Sequence, residues 1–131
     1  MKKTTLLNTA LSETISTLGH TDTLVIGDAG LPIPDGPRRI DLALCPGVPS
    51  FLDTLRAVLS EMQVQEVIVA SETAKRSPQI LQGIRDLLPG VPIQSVPHEE
   101  LKLRTRLARA MVRTGEFTPY ANIILVAGVV F

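Results

Sequence analysis

Thr23-Leu-Val-Ile-Gly27 runs directly into Asp28-Ala-Gly-Leu-Pro-Ile-Pro-Asp-Gly-Pro37. The first five residues are mostly β-branched or aliphatic and read as a short buried strand. The next ten carry three prolines and two glycines, so they form a stiff, non-helical loop. The strand therefore delivers a carboxylate, Asp28, at its carboxyl end. The glycines on either side leave room for a ligand to approach the backbone. The run is not GxGxxG and no helix follows it, so a dinucleotide fingerprint fails on context.

Outward from this point, helix and strand patterns alternate. Upstream, Leu11, Ile15 and Leu18 recur at helical spacing, with Asn8 as a candidate cap and Gly19 as a stop. A small strand at Thr4–Leu7 is also compatible with the pattern. Downstream, Arg39–Leu44 alternates like a half-buried strand. Ser50 caps a helix bearing Leu52, Leu55, Leu59 and Met62. Val64–Ala70 is a β-rich run. Ser77-Pro78 suits the cap and first turn of a helix carrying Ile80, Leu81, Ile84 and Leu88. Val91–Val96 reads as a strand, Pro97–Val112 as a helix and Asn122–Phe131 as the last strand. The expected fold is α/β: residues 1–131 as a single-domain layered structure, its central mixed, largely parallel sheet flanked by helices. In such sheets ligands bind beyond the carboxyl ends of strands, which points to the loops after Gly27 and Val96.

Composition narrows the function. The 131 residues hold 13 Lys+Arg and 13 Asp+Glu, so the formal net charge is zero. A balanced chain has no global field to gather nucleic acid or anionic lipid. Aromatics are 3% and Trp is absent, which argues against a base-stacking platform. The longest apolar run, Ile123–Phe131, is too short for a membrane-spanning helix, which needs about 20 residues. No signal peptide is legible after Met1-Lys2-Lys3, so cytoplasm is the expected location. Cys45 is the only cysteine and reads as a buried, inert thiol. The two histidines lack metal-ligand spacing, and no GxSxG elbow is present.

The candidates for chemistry are few. His20 follows the helix stop, in a turn beside Asp22; it suits acid–base work near neutrality, or caps the helix as an ordinary turn histidine. Asp28 is either a ligand group or a turn residue bonding its own backbone. His98 opens the Pro97–Val112 helix, with Lys102 on the same face one turn later. Lys102, Arg104, Arg106, Arg109 and Arg113 wrap around that helix, as a solvated face would. Tyr120, the only tyrosine, and Asn122 offer hydroxyl and amide groups suited to a polyol.

Several blocks resemble the D-ribose pyranase family. They are Leu18-Gly-His20-Thr-Asp22, Asp28-Ala-Gly-Leu-Pro-Ile-Pro34, Gly47-Val-Pro-Ser-Phe51, His98-Glu-Glu-Leu-Lys102 and Thr114-Gly-Glu-Phe-Thr-Pro-Tyr120-Ala-Asn122, with the ending Ala127-Gly-Val-Val-Phe131. The resemblance covers essentially the whole chain. It implies an isomerase that interconverts the pyranose and furanose forms of D-ribose, serving ribose uptake and use. It also implies His20 as the catalytic acid, with Asp28, His98, Tyr120, Ala121 and Asn122 binding the sugar and Lys102 near the pocket. Ring opening and reclosure need neither cofactor nor metal. The family further implies ring-shaped homo-oligomers with sites between subunits. Two other readings share these residues: a non-catalytic sugar-binding accessory of ribose transport, and an L-fucose mutarotase. The fucose enzymes differ after the Asp, where this chain keeps Ala-Gly-Leu-Pro-Ile-Pro.

Overall fold

The computed structural model describes residues 1–131, arranged around one six-stranded sheet. Its strands are β1 (Thr23–Gly27), β2 (Arg38–Asp41), β3 (Val64–Ala70), β4 (Ile93–Val96), β5 (Ala110–Arg113) and β6 (Ile123–Ala127). They lie in the order β2-β5-β1-β6-β3-β4. β6 is antiparallel to both its neighbours, β1 and β3; every other pairing is parallel. The mixed, largely parallel α/β sheet expected from the alternating pattern is therefore present. Its consequence is geometric. The carboxyl ends of β1, β3, β4 and β5 meet the amino end of β6 along one edge.

Residues alternate across the sheet because successive strand side chains point to opposite faces. Leu24 and Ile26 of β1, with Ile123 and Leu125 of β6, join the larger core. That core is closed by α1 (Thr9–Thr17), α2 (Phe51–Leu59) and α4 (Pro78–Leu87). Val25, Ile124 and Val126 face the other way, toward a smaller core with Leu31 and with Leu101 of α5 (His98–Arg104). No helix is long and apolar enough to cross a membrane.

The caps at Asn8 and Ser50 form as expected. Asn8 Oδ1 accepts from Leu11 N at 2.9 Å and Ser50 Oγ from Asp53 N at 3.1 Å. Ser77 occupies the cap position before Pro78 but makes no side-chain cap bond. A short helix not legible in the sequence, α3 (Ser71–Arg76), follows β3 directly.

Three expectations need correction. The helix expected over Pro97–Val112 stops at Arg104, passes through a 3-10 turn (Thr105–Leu107), and gives way to β5. Leu101, Ala108 and Met111 kept a helical apolar spacing, but Ala110, Met111 and Val112 pair with both β1 and β2 in the sheet interior. Tertiary pairing thus overrides local propensity. Thr4–Leu7 forms no strand. Cys45 is exposed, in a turn bridged to Val48, because the segment after β2 leaves the sheet.

Candidate functional site at the carboxyl edge of the sheet

Asp28, the first residue beyond β1, sits where a cleft of about 370 Å³ meets one of about 230 Å³. The smaller cleft is lined by Asp28, Gly30, Leu31, Pro32, His98, Pro119, Tyr120 and Asn122. The first cleft adds Arg113, Glu116 and Thr118. Asp28 Oδ1 accepts from Gly30 N at 2.9 Å, so the carboxylate does bond its own turn. Burial pushes its carboxyl above the ordinary carboxylate range, against the lowering pull of that hydrogen bond.

Asn122 stands beside it because β1 and β6 run antiparallel, with Ile26 opposite Ile123. Its Oδ1 accepts the Asp28 backbone N–H at 2.9 Å. The packing is close enough to need glycine at position 27: a Cβ there would lie 3.1 Å from Asn122 Oδ1 and 2.6 Å from Leu31 Cδ2. Asn122 is 1% exposed; its Nδ2 is near enough to the Asp28 carboxyl to lower that group's pKa but makes no hydrogen bond of good geometry.

His98 arrives from β4. Its backbone N–H donates to Glu72 Oε2 of α3 at 2.9 Å. Hydrogen bonds to Glu72, from its own backbone and from His98 N–H, hold that carboxyl below its usual range. The His98 ring meets Tyr120 edge to face, 5.1 Å between centroids at 86°. Its Nδ1 is buried and unpartnered. Two orphaned polar atoms, His98 Nδ1 and Asn122 Nδ2, thus border the same small cleft. Buried polar atoms ordinarily find partners, so such a pair marks a place where a ligand supplies them.

Tyr120 is held in the left-handed region, φ 61°, which costs a non-glycine residue free energy. Two buried hydroxyls hold the segment in place. Thr73 Oγ1 donates to the Tyr120 carbonyl at 2.9 Å and Ser77 Oγ to the Pro119 carbonyl at 2.6 Å. The hydroxyl expected to cap α4 is thus committed to the site loop. Ala121 is fully buried, and its side chain belongs to the larger core. It can offer a ligand only backbone atoms.

Three further side chains, to which the sequence assigned no role at this site, support it. Thr114 Oγ1 donates to Gly27 O at 2.7 Å. Arg113 Nε donates to Ala29 O at 3.0 Å. Glu116 accepts from Phe51 N at 3.0 Å, joining the loop to the start of α2. Burial pushes Glu116 up, but its hydrogen bonds from Phe51 and Thr118 outweigh that and hold it low. The sequence signals for these residues were the strand-end position of Arg113 and the Thr114–Asn122 block that holds Thr114 and Glu116. Of the arginines placed on one basic helix, Arg109 and Arg113 lie at β5 and brace loops instead.

Lys102 pairs with Glu99 at 2.7 Å and lines an adjoining cleft with Pro32 and Pro34. It shares with the His98 cleft only the wall at Pro32. His20 is the residue the chain does not bring to this site. It precedes β1, whereas Asp28 follows it, and five strand residues separate the two ends by roughly 17 Å. His20 is exposed, with Nε2 2.8 Å from Gln65 Oε1.

The model of the RbsD / FucU transport protein family matches residues 1–130. The chain belongs to this family. RbsD / FucU relatives named D-ribose pyranase include those of Chloroflexus aggregans, 63% identical, and Symbiobacterium thermophilum, 60% identical. Each alignment covers all of both chains. Among solved RbsD / FucU folds, Bacillus subtilis RbsD complexed with D-ribose superposes with TM-score 0.97 at 49% identity, covering all of both chains. The Streptococcus pneumoniae fucose mutarotase in complex with L-fucose superposes with TM-score 0.84 at 27% identity, again over all of both chains.

Proposed function

We propose that this chain is a D-ribose pyranase, interconverting the six- and five-membered ring forms of D-ribose. The observation that carries the reading is the pair of orphaned polar atoms, His98 Nδ1 and Asn122 Nδ2, beside Asp28 and Tyr120 in one cleft. An uncharged polyol satisfies such atoms with hydroxyls and adds no net charge. Full-length relatives that bear this enzyme's name, at 63% and 60% identity, support the same substrate.

The chemistry needs a proton delivered to the ring oxygen and another removed from the anomeric hydroxyl. The aldehyde that results recloses through a different hydroxyl, and no redox change occurs. In our reading His20 supplies the proton, while Asp28, His98, Tyr120 and Asn122 hold the hydroxyls so that closure is productive. The backbone at Ala121 adds a contact, and Lys102 closes the outer rim.

His20 lies at the opposite edge of the sheet from the cleft, so this reading requires a second copy to bring its His20 to the Asp28 cleft. We therefore take residues 1–131 as one sugar-isomerase domain that works as a homo-oligomer, a ring with sites between subunits. Cytoplasmic ribose use is the setting it fits.

The test is saturation-transfer NMR on D-ribose with purified protein. Wild type accelerates exchange between ring forms, and His20→Ala keeps the fold but slows exchange by about 10² or more. Binding of ribose without accelerated exchange would instead identify a transport accessory. Faster exchange with L-fucose than with D-ribose would identify a fucose mutarotase.

A further inference from the structure

The turn that presents His20 is built with unusual care for an exposed loop. Gly19 N donates to Asp22 Oδ2 at 2.8 Å, and Asp22 N donates back to Gly19 O at 3.1 Å. Arg109 Nε holds the other Asp22 oxygen at 2.9 Å. Thr21 sits in the left-handed region, φ 70°. The turn is laced to the end of β6, with Thr21 N donating to Ala127 O at 2.9 Å and Ala127 N donating to Asp22 O at 2.8 Å. Strain at a non-glycine residue persists where the surroundings over-determine the conformation.

Gln65 faces this turn through a second irregularity. β3 pairs with β6 as Val64↔Ala127 and Glu66↔Val126, so Gln65 is an extra residue extruded as a β-bulge. Bulges re-aim side chains that a regular ladder would point elsewhere. Gly128 packs closely against the bulge, where a Cβ would lie 3.1 Å from Gln65 Cβ. Gly128 N also donates to Gln63 O at 2.9 Å, fixing the strand on the other side of the extra residue. The result is Gln65 Oε1 at 2.8 Å from His20 Nε2.

We infer that Gln65 is a positioning residue for the isomerisation, holding the His20 ring with Nε2 protonated and leaving Nδ1 to exchange protons with the sugar. A carboxamide oxygen only accepts, so with Gln65 Oε1 turned toward the ring, as it is placed, Nε2 carries the hydrogen. The free lone pair of the neutral ring then lies on Nδ1. In the protonated ring Nε2–H stays on Gln65 and Nδ1–H points outward. As the bond from the anomeric carbon to the ring oxygen breaks, its electron pair stays on that oxygen, which takes the Nδ1 proton and becomes a hydroxyl. The anomeric hydroxyl gives its proton to water, and the aldehyde is neutral. On reclosure another hydroxyl oxygen attacks the aldehyde carbon and gives its proton to Nδ1, while the carbonyl oxygen takes a proton back from water and becomes the new anomeric hydroxyl. This inference rests on the reading of His20 as the proton-transfer group.

The chain has only two histidines, so nitrogen-15 NMR of the full-length, histidine-labelled protein resolves both rings, with His20→Asn assigning the signals. In wild type the His20 Nε2 proton gives a slowly exchanging, hydrogen-bonded signal. Gln65→Leu loses that signal and lowers kcat for ring exchange about tenfold with little change in KM. Gln65→Glu, which also presents an acceptor oxygen, keeps the signal. Gln65 is exposed, so both variants should melt with wild type; Gln65→Asn, one methylene too short to reach, replaces Gln65→Leu if that chain fails to fold. A hydrogen on Nδ1 rather than Nε2 in wild type overturns the inference. So does a Gln65→Leu chain that keeps the ring-proton signal, or one whose kcat is unchanged. The ring signal is read without turnover. Undiminished exchange by His20→Ala would therefore sink the functional reading separately.

Discussion

Asp28 shows how a single residue at this site trades stability for readiness. Its carboxyl is partly buried beside the Gly30 N–H, and burial holds its pKa above the ordinary range. The folded chain therefore binds this proton more tightly than the unfolded chain does. The group's contribution to stability declines as pH climbs from the ordinary carboxylate range through the raised folded value, then stays at a constant penalty. Asp28→Asn should melt higher than wild type at neutral pH while binding ribose more weakly. The two chains should converge in acid below the carboxyl's ordinary range; thermal melts across pH check this. Asp22 behaves in the opposite sense. Hydrogen bonds from Gly19 N–H and Arg109 hold its carboxyl below the usual range. Its contribution is present above that range and is lost as pH falls through the depressed value. Asp22→Asn should remove that contribution at neutral pH and loosen the His20 turn, read as faster exchange of the Gly19 amide.

At the scale of elements, the short helix α3 matters more than its six residues suggest. It follows β3 at the carboxyl edge and places three groups at once. Glu72 takes the His98 N–H, Thr73 holds the Tyr120 carbonyl, and Ser77 at its end holds the Pro119 carbonyl. Thr73 and Ser77 are fully buried, so neither hydroxyl has water as a substitute partner. Thr73→Val keeps the shape and removes the donor. It should cost about 1–3 kcal/mol in denaturant unfolding, the usual penalty for stranding a buried polar group. It should also weaken ribose binding, because the left-handed Tyr120 loses its tether. The same scale explains the misread β5. Its first three residues are apolar, follow a genuine helix without a strong breaker, and become a strand only through β1 and β2 on either side. No local rule registers neighbours that are distant in sequence.

For the whole molecule, the decisive fact is that the two histidines sit at opposite edges of the sheet. β1 separates His20 from Asp28 along its full length, and only β6 runs back between those edges. A site that uses both residues must draw them from different copies of the chain. Inactive His20→Ala and Asn122→Ala chains should therefore restore activity when co-expressed. In a randomly mixed oligomer, about a quarter of the sites would pair an intact His20 with an intact Asn122. Exchange rates of the mixture against each parent measure this, and a mixture no more active than its parents would place the whole site in one chain.

The sequence by itself determined the alternating α/β plan, the span of β3, the caps at Asn8 and Ser50, and the strand-end position of Asp28. These follow from periodicity and from capping chemistry that acts within a few residues. It also carried the family, because blocks such as Asp28–Pro34 and Thr114–Asn122 survive as local strings. Only the tertiary structure decided which groups meet. The antiparallel insertion of β6 brings Asn122 to Asp28, Thr73 and Ser77 tether the loop of Tyr120, and a bulge aims Gln65 at His20. Each of these joins residues far apart in the chain, and their partners are chosen by sheet order and burial, which no local pattern encodes.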